Sequence, residues 1–107
     1  MTPDELIQGL PGEELAREGL SDLKAGRETP ASCLAVIGLP RLRRAGLIEN
    51  TTVDSEVDAE LRLYRLLRKE GGDAYSRYNA LLRRWVSFEQ ALDRRLRMGE
   101  AEKLSSS

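Results

Sequence analysis

The side chains able to do chemistry in this chain are carboxylates and guanidiniums, because histidine is absent and cysteine occurs once. Without imidazole there is no His base for a serine or cysteine nucleophile, and the commonest zinc ligand is missing. The same absence excludes helical ribonuclease sites built on an Arg closely followed by a His. Cys33 alone cannot form a structural zinc site or an internal disulfide. It stands in the most apolar segment, where a thiol behaves as a small hydrophobe. The nine glycines occur singly or as Gly71-Gly72, never as a phosphate-cradling loop followed by lysine. Carboxylates remain. Glu14, Glu18 and Asp22 fall at i, i+4 and i+8, and could bind a divalent cation if a facing helix supplied more oxygens. With Arg17 and Lys24 beside them they read as a solvated acidic face. No catalytic residue, cofactor-binding residue or metal ligand is therefore assigned, and the chain is expected not to be an enzyme.

Arginine supplies 14 of the 17 basic residues. Its planar fork pairs with carboxylate or phosphate in two-point fashion better than lysine does, although a high-GC genome gives the same bias. Net charge is −1, so the whole molecule exerts no long-range pull on nucleic acid or an anionic membrane. The charge is blocky, however. Residues 49–60 carry five acids and no base, and 61–84 carry seven bases and two acids. Arg62, Arg65, Arg68 and Lys69, followed by Arg77, Arg83 and Arg84, form the candidate nucleic-acid surface, since phosphate binding needs such donors concentrated together. The neighbouring acids, and the lack of exposed aromatics for base stacking, favour a solvated face instead.

The stretch from Leu39 to Ile48 is a second basic candidate. A run of basic and apolar residues leading into Gly-Leu-Ile resembles the end of a winged-helix recognition helix. The spacing does not fit: Gly38 to Gly46 holds barely two turns, Pro40 stands where a groove-entering helix would continue, and no strand pair follows to make a wing.

These residues must be positioned by helices. The chain has 107 residues, 40% hydrophobic and 33% charged, which suits one modest domain with half-exposed helices. Thr2, Pro3 and Glu5 read as a helix start with a capping box, and Pro11-Gly12 breaks that first helix. A second runs from about Glu13 to Ala25, stopped by Gly26. Thr29-Pro30 opens a third, Ala31 to Ile37, apolar all round and hence buried. Pro40 to Ala45 makes one or two turns, and Glu49 to Thr52 is loop. Asp54 or Ser55 caps a helix reaching about Lys69, with Val57, Leu61, Leu63, Tyr64, Leu66 and Leu67 on its apolar face.

Glu70-Gly-Gly-Asp73 is a tight connector, with Asp73 placed to cap the next helix. That last helix spans about Ala74 to Met98, and Ala74, Tyr78, Leu81, Trp85, Phe88 and Leu92 mark a heptad seam along it. Arg77, Arg83, Arg84, Arg94 and Arg95 lie opposite. Two amphipathic helices joined by four residues close as an antiparallel hairpin.

The expected fold is thus all-α: a small bundle in which three or four short N-terminal helices pack on a long C-terminal antiparallel helical hairpin. Residues 1–98 form the single domain and 99–107 a frayed tail. The last helix, about 37 Å long, outruns its partner, which leaves Trp85, Phe88, Leu92 and Leu96 as the expected contact with another protein or a second copy. The function expected is a non-enzymatic interaction module that self-associates or docks a protein partner. A nucleic-acid-binding accessory role is the alternative. No signal-like or membrane-spanning run is present, so the expected location is the cytoplasm.

Overall fold

In the computed structural model, residues 3–48 and 58–105 are described, with side chains over 4–48 and 58–99. Six helices follow one another: α1 Pro3–Ile7, α2 Glu13–Ala25, α3 Pro30–Ile37, α4 Leu39–Arg44, α5 Ala59–Glu70 and α6 Ala74–Ser105. No strand occurs among the described residues, so the all-α class holds. The proposed caps at Thr2 and at Asp54 or Ser55 lie outside the described residues, as do the 49–52 loop and Val57.

The helix boundaries follow local chemistry. Gly26 takes φ 75 and closes α2 in the left-handed region that side chains avoid. Thr29 caps α3: its hydroxyl accepts from the Ser32 backbone N–H at 3.1 Å, and Ser32 Oγ accepts from the Thr29 N–H at 2.9 Å. Asp73 accepts from the Ser76 N–H at 3.1 Å and starts α6 as its spacing requires.

The centre is α3, buried from Ala31 to Val36. α2 crosses it at Gly19, where a Cβ would stand 2.5 Å from the Ala31 carbonyl oxygen. Only a glycine lets the two backbones approach this closely. α5 lays Leu63 and Leu67 inward, both fully buried, and packs chiefly on α3. It touches α6 through Tyr64 and Tyr78, whose rings meet edge to face at 5.8 Å.

One boundary and one side chain differ from the sequence expectation. α6 does not stop at Met98 but continues to Ser105. Gly99 is not among the glycines with positive φ, and Glu100, Ala101, Glu102, Lys103 and Leu104 are good helix formers. α6 therefore has 32 residues, about 48 Å at 1.5 Å each, and it sets the 53 Å long dimension of the molecule. Leu61, assigned to the apolar face of α5, is instead 49% exposed.

Candidate functional site

The expected docking edge of α6 is inside the chain. Trp85 is 1% exposed, and Phe88 and Leu92 are 0%; Leu96 is half-buried against the same core. The α1–α4 half of the chain supplies the cover. The Trp85 indole lies over Gly38, at the α3–α4 junction, so closely that a Cβ there would be 2.7 Å from Nε1. Its ring packs on Phe88, centroids 5.2 Å apart. Phe88 in turn meets Gly12, where a Cβ would lie 3.2 Å from the Phe88 Cβ. Burying Phe88 and Leu92 contributes about 1.5–3 kcal/mol each relative to leaving them in water, so the seam closes on the chain's own helices. An outside protein cannot reach these three residues without opening the fold.

Arg95, placed by periodicity on the outer side of α6, is also turned inward. Its Nη1 donates to the carbonyls of Glu5, Leu6 and Gln8 at 3.1, 3.0 and 2.7 Å. Those are the orphan acceptors at the end of the five-residue α1, so Arg95 clips that helix to α6.

The candidate nucleic-acid set is only partly available. Arg62 Nε donates to Glu28 at 2.8 Å and is half-buried. Arg77 is paired with Glu70 and also donates to the Gly71 carbonyl at 3.4 Å. Arg65, Arg68, Lys69, Arg83 and Arg84 are exposed, and no ion pair joins them to another described residue. The structure thus splits the seven: two are held in ion pairs, and of the five exposed ones three sit on α5 and two on α6.

The acidic stripe of α2 is also divided. Asp22 is buried at the α2–α3 turn, accepting from Thr29 Oγ1 at 2.7 Å and from Arg27 Nε at 2.9 Å. Those two bonds, Thr29 first, hold its carboxyl below the ordinary Asp value of 3.8. Glu14 and Glu18 remain exposed and, among the described residues, unpaired. Cys33 is 2% exposed, and burial pushes its thiol up, away from thiolate reactivity.

What sequence reasoning missed is a basic groove between α4 and α6. Arg41 reaches from α4 to α6, pairing with Glu89 through Nη1 and with Asp93 through Nε at 3.2 Å. Glu89 is 6% exposed, so this ion pair is screened from water on its acidic side. The one guanidinium pairs with both described carboxylates of α6. Beside it opens a groove of about 610 Å³ lined by Arg41, Gln90, Asp93, Arg94, Arg97 and Met98. Arg94 and Arg97 are exposed and form no ion pair with a described residue. Arg44, one turn beyond Arg41 on α4, is exposed as well. The contact that concentrates these guanidiniums joins residues 48 positions apart.

No family model, curated protein or solved structure matches this chain. The outer flank of α6 therefore has to be read from its own chemistry. From residue 83 onward it presents Arg83, Val86, Gln90, Arg94, Arg97 and Met98, with Val86 48% and Met98 61% exposed. Such a surface offers fixed positive charge interleaved with apolar area, and no described general acid, base or nucleophile stands among these side chains. Guanidiniums so exposed suit two-point pairing with carboxylate or phosphate groups.

Proposed function

We propose that this chain is a non-enzymatic helical module that docks a protein surface rich in carboxylates, through the outer flank of α6 and the adjoining α4. One observation carries the reading: Glu89 and Asp93 are both paired with Arg41, and no ion pair joins Arg83, Arg94 or Arg97 to a described acid. Exposed Val86 and Met98 add apolar area of the kind a protein partner covers, and methionine adapts to irregular surfaces. Nucleic acid is the second reading. It is disfavoured because Arg62 and Arg77 are already engaged, and because from residue 83 onward this flank carries no aromatic ring on which a base would stack; the exposed ring of Tyr75, which the sequence reading did not expect, lies more than two turns earlier on α6.

The same reading takes α5 and α6 as an antiparallel hairpin. Its support is the three-residue connector 71–73 and the Tyr64–Tyr78 contact. α5 then serves as a wedge between α3 and the first turns of α6, leaving the distal half of α6 for partners.

The test is capture from native extract at low salt, with and without nuclease, comparing the natural chain with an Arg83→Glu, Arg94→Glu, Arg97→Glu variant. The natural chain is expected to retain protein after nuclease treatment and to release it as salt rises; the variant is expected to retain none. Retention that vanishes with nuclease, or is the same in both chains, contradicts the proposal.

A further inference from the structure

We infer that the partner for the α4–α6 groove is a second copy of this chain, which presents Glu14 and Glu18 of its α2 to Arg94 and Arg97. The inference rests on the docking function proposed above and names its occupant. Glu14 and Glu18 are i, i+4 on α2, both exposed and both unpaired among the described residues. Arg94 and Arg97 are i, i+3 on α6, in the same condition. Side chains so spaced stand about 5–6 Å apart on their helix, so two carboxylates one turn apart match two guanidiniums one turn apart.

The rest of the two faces agrees. α2 adds Ser21 and Ala25 along the outward line beyond Glu18, both exposed, small and uncharged, with the exposed Lys24 to one side. The receiving groove has Met98 as an apolar wall and Gln90 as a further donor. Arg41 stays tied to Glu89 and Asp93, so it supports the groove and leaves Arg94 and Arg97 to bind. The other acids of α1 and α2 are less suited: Asp4 and Glu13 are held by Arg17, Asp22 is buried, and Glu5 is engaged as well. Glu14 and Glu18 are thus the exposed acids of α1 and α2 left without an ion pair among the described residues, and Arg94 and Arg97 are the groove's guanidiniums in the same state. Each copy carries both halves, so pairing is reciprocal in a two-fold dimer or repeats in a head-to-tail chain.

A charge swap decides it. Sedimentation is run over a concentration series at low salt on the natural chain, on Glu14→Arg/Glu18→Arg, on Arg94→Glu/Arg97→Glu, and on an equal mixture of the two variants. Every swapped position is exposed, and circular dichroism checks that each variant is folded; Glu14→Gln/Glu18→Gln and Arg94→Gln/Arg97→Gln serve if reversal disturbs a helix. The natural chain is expected to sediment as more than one 12.0 kDa unit as concentration rises. Each reversed variant alone should associate at least about tenfold more weakly. Mixing the reversed variants should restore association, because each groove then meets a surface of opposite charge. Mixed neutral variants should recover only in part, because one natural Arg–Glu contact forms between them while the other stays uncharged. A natural chain that remains a single unit overturns the inference, and so does a reversed mixture that fails to recover. If that monomer still captures an Arg-dependent protein from extract, the docking function stands and only the second copy falls. If it captures none, both fall.

Discussion

Gly19 and Gly38 carry more of the fold than their size indicates. Neither has an unusual φ, so neither is glycine for backbone reasons. Each is glycine because something occupies the place of a Cβ: the Ala31 carbonyl at Gly19, the Trp85 ring at Gly38. Gly19→Ala sets two effects against each other. Helix propensity favours alanine by about 1 kcal/mol, while a Cβ at 2.5 Å from a backbone oxygen forces α2 and α3 apart. Overpacking of this kind costs about 1–3 kcal/mol, and backbone cannot step aside as a flexible side chain can. Urea unfolding is expected to show net destabilisation for both Gly19→Ala and Gly38→Ala. A stabilised Gly19→Ala would mean that α2 and α3 do not cross there.

Asp22 gives a pH dependence with a definite sign. Its folded-state value is lowered by Thr29 and Arg27, so its contribution is present above 3.8, the ordinary value, and is lost as pH falls through the lower folded one. Asp22→Asn keeps an acceptor for Thr29 but cannot titrate. Stability measured from about pH 4 downward should fall less steeply in the variant than in the natural chain, and equal slopes would remove Asp22 from the account.

Among the elements, α1 is the weakest, with five residues and no stability of its own. Its attachment depends on Leu6 and Ile7 in the core and on Arg95 at its exposed carbonyls. Arg95→Ala is expected to speed hydrogen exchange over residues 3–10 while α3 and α5 stay protected; uniform exchange across the molecule would contradict the clip.

Helix positions are legible in the chain because caps and glycines act locally: Thr29-Pro30, Gly26 and Asp73 each do what their chemistry requires within a few residues. The heptad seam of α6 is legible too, as a periodicity. What covers that seam is not. Its cover comes from Gly12 and Gly38, whose role depends on a ring arriving from far along the chain. The same limit hides the basic groove, since Arg41 and its acids Glu89 and Asp93 belong to different helices. Spacing alone puts Arg95 outward, and a carbonyl cluster from α1 turns it inward. Gly99 reads as a stop and so places the end of α6 too early, whereas a glycine with open space around it and ordinary φ interrupts nothing.

For the whole molecule, one arrangement governs the rest. The oily seam of α6 is closed by the chain's own N-terminal helices, and what stays exposed is an Arg-lined outer flank. The chain has a single tryptophan, Trp85, at the middle of that seam, and the adjacent Phe88 and Leu92 share its burial. Its fluorescence therefore reports on the seam with no competing tryptophan. Acrylamide quenching of Trp85, followed from dilute protein to the highest attainable concentration, is the most direct measurement. Quenching is expected to be weak throughout and unchanged by association, as for an indole already sealed within one chain. Strong quenching in dilute protein that weakens on association would show the seam to be an open docking edge, and would contradict the account.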